Sequence, residues 1–315
     1  MKNMKHTLPI YIFLMFAAVM FSTDSHATCV KSSGDIIEYT PGQDPVRDTR
    51  GSGQRDSCGD IPTAYRLSFY KIAICKSDPQ AGAVIGGSPD FSSCGYIYNG
   101  PALDHDIKYP SKSSLETGEF SIPPGSYNYL VAVISNKLGM KNTVNFSSAV
   151  DGRGGSRGTT CWTVGGNDGV TSFANEGVST VHGTTVADGV STISCGTAAE
   201  AAPGWNYEIF THFGGDDGCV DDFSTDADFS NGAEPGTDFS AILLQANGKY
   251  ADRCANSAKM LFVVNHSTPF IITTTSTYAL DFLLTDAVSI DFGNPNGEIV
   301  KMGNDPVQAV FTVTN

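Results

Sequence analysis

Asp221, Asp222, Asp226, Asp228 and Asn231 crowd one stretch of this chain, GGDDGCVDDFSTDADFSNG. Calcium takes about six to eight oxygen ligands from carboxylates, amides and backbone carbonyls on a flexible loop. These five residues are therefore the candidate metal site, and Ca²⁺ is the one cofactor the sequence suggests. DADFSNG does not keep the EF-hand positions, because its glycine comes one residue late, so a solvated acidic loop is the competing reading.

The other candidate constellations are weaker. GGSRG at 154–158 matches the G-x-S-x-G pattern with Ser156 as the serine. A nucleophile elbow needs a hydrophobic strand before the serine and a helix after it. VDGRGGSRGTT reads as a loop with neither, and nothing marks His182, His212 or His266 as a base. Asp104-His105-Asp106 cannot converge from an extended segment, since neighbouring side chains point to opposite faces; it reads as a surface turn. Glu116 and Glu119 could support glycoside hydrolysis only across a cleft of the right width. Trp162 and Trp205, with Tyr96, Tyr98, Tyr127 and Tyr129, are either core packing or platforms for sugar. No catalytic set emerges, and the expectation is a protein that is not an enzyme.

Compartment is easier to read. Lys2 and Lys5 precede a 14-residue apolar run, Leu8 to Phe21, and Ser25-His26-Ala27 ends in a small residue. This is the pattern of a signal peptide cleaved after residue 27. The run is too short to span a bilayer, which needs about 20 apolar residues. All eight cysteines lie beyond it: Cys29, Cys58, Cys75, Cys94, Cys161, Cys195, Cys219 and Cys254. None has zinc-type spacing, so an even set in an exported chain predicts four disulfides. Nearest-neighbour pairing (29–58, 75–94, 161–195, 219–254) is the economical choice. Without residues 1–27 the chain holds 17 Lys and Arg against 32 Asp and Glu, a net charge of −15. Such a surface repels nucleic acid and anionic lipid.

The elements that must position any site read as strands. YRLSFYKIAIC places Tyr65, Leu67, Phe69, Lys71 and Ala73 on one face, with Arg66, Ser68, Tyr70, Ile72 and Ile74 on the other. CGYIYNG follows a loop and predicts a hairpin pinned by Cys75–Cys94. GEFSIPPGSYNYLVAVISN is two strands broken at Pro123-Pro124-Gly125. NTVNFSSAV, MLFVVNH, FIITTTST, YALDFLLTD, AVSIDFG and VQAVFTVTN continue the style, and AILLQANGKYADRCANSAKM alone could hold a short helix. From Gly158 to Gly248 there are 13 acids and no Lys or Arg. The expected fold is an all-β, disulfide-stabilised antiparallel sandwich. Its layout is a signal at 1–27, a polar segment at 28–61 and a sandwich at 62–315. Strand-rich halves at 62–150 and 241–315 would flank an acidic, loop-rich elaboration at 151–240, with two consecutive sandwiches as the rival.

GEFSIPPGSYNYLVAV resembles the strand, LPPG-x-Y turn and strand of Cna-B-type and carboxypeptidase-regulatory-like modules, with Ile122 at the leucine position. Those modules are transthyretin-type β-sandwiches of surface proteins, so the resemblance implies a stalk or spacer. It covers 16 residues, and the cysteines depart from the Cna-B pattern. The functional expectation is an exported structural or adhesive protein of the cell surface or matrix. In its sharper form the protein self-assembles, with GDIIEY of the 28–61 segment completing a neighbour's sheet. The alternatives are a secreted Ca²⁺-dependent ligand- or carbohydrate-binding module and a carboxylate-dependent hydrolase. Expected partners are copies of itself, other surface proteins or glycans, with no nucleic acid and no transmembrane anchor after signal removal.

Overall fold

The computed structural model describes residues 29–39, 56–84, 86–109, 115, 122–152, 155–170, 193–210, 237–251, 256–285, 287–293, 298–304 and 307–315. Among these there are seventeen strands and no α-helix. The first eight are β1 (Lys31–Ser32), β2 (Ile36–Ile37), β3 (Asp56–Asp60), β4 (Ala64–Cys75), β5 (Cys94–Lys108), β6 (Gly125–Ser135), β7 (Lys137–Lys141) and β8 (Thr143–Gly152). Next come β9 (Ser156–Val170), β10 (Ile193–Gly196), β11 (Gly204–Ile209), β12 (Thr237–Gln245) and β13 (Ser257–Ile272). The last four are β14 (Thr277–Leu283), β15 (Val288–Gly293), β16 (Glu298–Asn304) and β17 (Gln308–Thr314).

Fifteen of them join one hydrogen-bonded path, β12-β13-β6-β4-β7-β11-β9-β8-β16-β15-β3, with β1, β2, β5 and β10 attached at its flanks. β14 and β17 pair separately. The pairing is mostly antiparallel, with parallel contacts between β9 and β11, between β2 and β8 and between β8 and β16. β9 carries the path from one sheet to the other. Its first part pairs with β8 and β10, and the part from Val164 onward pairs with β11. Gly165 sits at this changeover with φ +98°, a conformation that side chains with a Cβ resist. β9 and β11, both from the 151–240 segment, thus lie in the middle of the strand order.

β4 shows how the sequence dictates the layers. Its alternation is reset by register shifts around Tyr70–Lys71 and Ile72–Ala73. An extra residue in a strand turns the following side chains over. Tyr65, Leu67 and Phe69 consequently share the main core with Ile72 and Ile74, whereas simple alternation had put Ile72 and Ile74 on the opposite face. That core also takes Tyr39, Phe146 and Phe292, whose rings meet at 6.0–6.1 Å. Burying each such side chain stabilises the fold by about 1.5–3 kcal/mol. The other face of β4, β6, β12 and β13 builds a second core of Ala73, Val131, Val133, Ile242, Leu261 and Val263. The 76–93 connection folds across it, with Ser240 Oγ donating to Gln80 Oε1 and Tyr250 N to Gly87 O.

Three of the expected disulfides are present, 29–58, 75–94 and 161–195. They mark a chain that folds in an oxidising compartment. Cys75 and Cys94 are register partners in the β4–β5 hairpin, and Cys161 and Cys195 in the β9–β10 pair. Cys219 and Cys254 lie outside the described residues.

Several local expectations are corrected. In AILLQANGKYADRCANSAKM, the described residues are the end of β12, a turn around Asn247-Gly248, a 3₁₀ position at Asn256 and the start of β13, while residues 252–255 lie outside the described residues; an Asn-Gly turn between apolar runs is a hairpin signal. MLFVVNH and the first three residues of FIITTTST form one strand, interrupted between Asn265 and Phe270, where Pro269 cannot donate to the ladder; Thr273–Ser276 then turn into β14. EIVKMGN supplies β16, a strand not anticipated. GDIIEY does not stand free: Ile36 and Ile37 pair with Asn145 and Phe146 of the same chain, and Ile37 is buried.

Candidate functional site: a cation–aromatic sheet face

The 76–93 connection lies over the part of the outer face built by β6, β12, β13 and the second half of β4. Towards β7 and β11 no other described segment covers that face, and a row of residues crosses it in register. Asp106 of β5 pairs with Arg66 of β4, Arg66 with Gly139 of β7, and Gly139 with Tyr207 of β11. Five hydrogen-bonded strands hold the row, because Tyr207 pairs onward with Asn167 of β9.

Arg66 organises it. Its Nε and Nη2 donate to the two Asp106 oxygens at 2.6 and 2.9 Å, and its Nη1 donates to Tyr207 Oη at 3.1 Å. The bonds from Arg66 hold the Asp106 carboxyl below the usual carboxylate range, and those to Asp106 keep the guanidinium charged. Both side chains are about a third exposed (27 and 32 %), so the pair contributes only about 0.5–1 kcal/mol to stability. Its larger effect is to fix the fork geometry of the guanidinium. Gly139 makes room for the ring beside it: a Cβ there would meet Tyr207 Cε1 at 2.8 Å.

Cations lie over the aromatic rings on this face. Arg66 sits 4.2 Å and Lys141 5.1 Å from the Trp205 ring centre, and Lys137 lies 4.3 Å from that of Tyr207. Each such contact is worth about 0.5–1 kcal/mol at an exposed site. Further along, Lys259 covers Tyr70 at 4.2 Å, and Lys71 lies 5.5 Å from both Phe91 and Tyr96. Burial, helped by Lys259, lowers the Lys71 pKa. Neither Lys137 nor Lys141 meets a carboxylate among the described residues.

A shallow depression of about 200 Å³ opens here, lined by Arg66, Ser68, Asp104, Ser135, Lys137 and Tyr207. Ser68 Oγ donates to Asp104 Oδ1 at 2.5 Å, leaving the second carboxylate oxygen as an acceptor. Tyr207 Oη accepts from Arg66 and keeps its own proton to donate. Ser135 Oγ likewise accepts from Lys137 N at 3.1 Å. Asn136, between Ser135 and Lys137, anchors this side. It is 5 % exposed, and its Nδ2 donates to Phe210 O at 2.9 Å and Ser257 O at 3.2 Å. One amide thus ties together the fork where β13 continues along β6 and β11 along β7. The arrangement can bind and orient, with charges paired or stacked on rings.

The residues singled out from the sequence fare differently. Asp221, Asp222, Asp226, Asp228 and Asn231 lie outside the described residues, as do Glu116 and Glu119. Among the described residues no group of three or more His, Cys, Asp or Glu could hold a metal. Asp104-His105-Asp106 is part of β5 and not a surface turn. His105 points into the core near Phe282 while both aspartates face outward. Ser156 starts β9 after a turn that follows β8, so the GGSRG segment is a hairpin with a strand after the serine instead of a helix. Its Oγ accepts from Cys195 N at 2.9 Å. Of the six aromatics, Trp162 and Tyr127 are buried, Tyr98 packs beside the main core, Tyr96 and Tyr129 pack beside the second core, and Trp205 joins the outer face.

Arg66, Lys137, Lys141 and Tyr207 were not identified as a group from the sequence. The available signals were the alternation of Trp205 with Tyr207 and of Lys137 with Lys141, each placing a pair on one strand face. Comparison with family models, curated proteins and solved structures finds no match. The likeness of FSIPPGSYNY to Cna-B-type modules therefore rests on those residues alone.

Proposed function

We infer that this chain is an exported structural or adhesive protein of the cell surface or matrix, and that it engages its partner through the outer face of β4, β5, β7 and β11. The observation that carries this reading is the in-register row Asp106–Arg66–Gly139–Tyr207, with Lys137, Lys141 and Trp205 beside it. Polar and aromatic groups fixed on rigid strands are the form of a recognition surface. The disulfides and the signal-like start support export. Donation of GDIIEY to a neighbour is dropped, since that piece is paired within its own chain.

The test is attachment to the producing cells. Oxidised exported chain, added back to cells lacking it, is expected to be retained on their surface and released by external protease. A Lys137→Met/Tyr207→Phe chain is expected to stay in the medium. Retention of the double variant at the wild-type level would refute the assignment of the face, and a chain found only inside the cells would refute export.

A further inference from the structure

Resting on that assignment of the face, we propose that the depression between β4, β7 and β11 binds a sugar residue carrying a single acidic group, such as a uronic acid within an otherwise neutral glycan.

Three residues with a donor to offer line the depression: Lys137 with its ammonium, and Tyr207 and Ser135 with their hydroxyls. Lys137 has no carboxylate partner among the described residues and is held over the Tyr207 ring. Tyr207 Oη accepts from Arg66 Nη1 and keeps its own proton to donate. A carboxylate accepts from such a trio without ordering a long, free lysine, because the ring has already placed the ammonium. Asp104 also lines the depression, and with Oδ1 taken by Ser68 its second oxygen is the acceptor for a hydroxyl. Donors for an anion beside an acceptor for a hydroxyl match a hydroxy acid. The volume, about 200 Å³, suits one sugar ring.

Charge selects among acidic partners. The whole chain carries a net charge of −14, so a dense polyanion is repelled by the body of the molecule. Beyond about 8 Å at physiological ionic strength that repulsion is screened, whereas an isolated carboxylate at contact distance feels Lys137 directly. A glycan with spaced acidic residues is favoured over polyglutamate-like peptide or heavily sulfated chains.

The probe is a tetrasaccharide alternating glucuronic acid with a neutral sugar, titrated into the oxidised exported chain by calorimetry. Its carboxyl-reduced form and an oligoglutamate peptide serve as comparisons. Binding of the acidic tetrasaccharide is expected, weakened about tenfold by carboxyl reduction or by Lys137→Met, the loss of one charge-assisted hydrogen bond. Tyr207→Phe keeps the ring and is expected to weaken binding about fivefold. Circular dichroism of both variants checks that they fold. Equal binding of the reduced sugar, or binding of oligoglutamate without the sugar, overturns the ligand class but leaves the face intact. Unchanged affinity in both variants overturns the site itself.

Discussion

Replacing Asn136 with alanine tests whether one amide holds the sheet fork. The side chain is buried and donates to two backbone carbonyls from different strands' ends, Phe210 O and Ser257 O. The backbone bonds of residue 136, its N to Ala258 O and its O from Phe210 N, survive the change. The loss falls on the acceptors this amide serves, Phe210 O, Ser257 O and, at 3.4 Å, Ser257 Oγ; the two bonds to carbonyls are worth about 1–1.5 kcal/mol each. Together they predict about 2–3 kcal/mol of destabilisation. For a domain of this size that corresponds to a fall in Tm of about 4–12 °C. Thermal unfolding of the oxidised chain by near-UV circular dichroism measures it. Hydrogen exchange supplies the second readout, since β11 and β13 are expected to exchange faster together. Because Ser135 and Lys137 flank the amide, sugar binding is expected to weaken as well. A Tm within about 2 °C of wild type, with both strands still protected, would refute the role of Asn136 as the tie.

Ser156→Ala removes the acceptor for Cys195 N and is expected to cost about 1 kcal/mol; covalent labelling of wild-type Ser156 by a fluorophosphonate would contradict its structural role. Gly139→Val drives a branched side chain into the space of the Tyr207 ring, and is expected to abolish surface attachment while the other strands keep their exchange protection. Burial holds the His105 imidazole below its usual value, so as pH falls through about 6.5 the unfolded chain takes up a proton before the folded one does. Stability declines from there towards the folded-state pKa, and His105→Phe is expected to flatten denaturation midpoints between pH 7 and 5; an unchanged slope would place the pH sensitivity elsewhere. Replacing Cys161 and Cys195 by serine opens a link across 34 residues, with an expected cost of about 3–4 kcal/mol by denaturant unfolding.

The sequence carried the all-β class and three pairings among its cysteines, because both depend on local composition and spacing. Cys75 and Cys94 end two strand-like runs joined by a polar loop, and such ends meet. The lost information is of another kind. A bulge at Tyr70–Lys71 turns Ile72 and Ile74 over, and no residue there announces it, since tyrosine and lysine are ordinary in strands. β16 escaped notice because EIVKMGN mixes charge and glycine into a central strand, whose Ile299 and Met302 are buried by neighbours distant in sequence. The candidate site was the least legible part. Arg66, Lys137 and Tyr207 each look like ordinary solvent-facing positions, and only the register of β4 with β7 and of β7 with β11 brings them together. Register is fixed by the whole sheet, including the break at Asn136. Motif-like stretches misled for the converse reason. GGSRG and Asp104-His105-Asp106 are adjacent in sequence, but a strand sends neighbouring side chains to opposite faces.

The account stands on the outer face of β4, β5, β7 and β11 being the surface that meets a partner. Hydrogen exchange of the oxidised exported chain, with and without matrix extracted from the producing cells, tests this directly. Added protection is predicted in peptides covering residues 64–70, 104–108, 135–141 and 204–209, and is expected to be lost in Lys137→Met/Tyr207→Phe. Protection confined to other segments, or the same protection in the double variant, would contradict it.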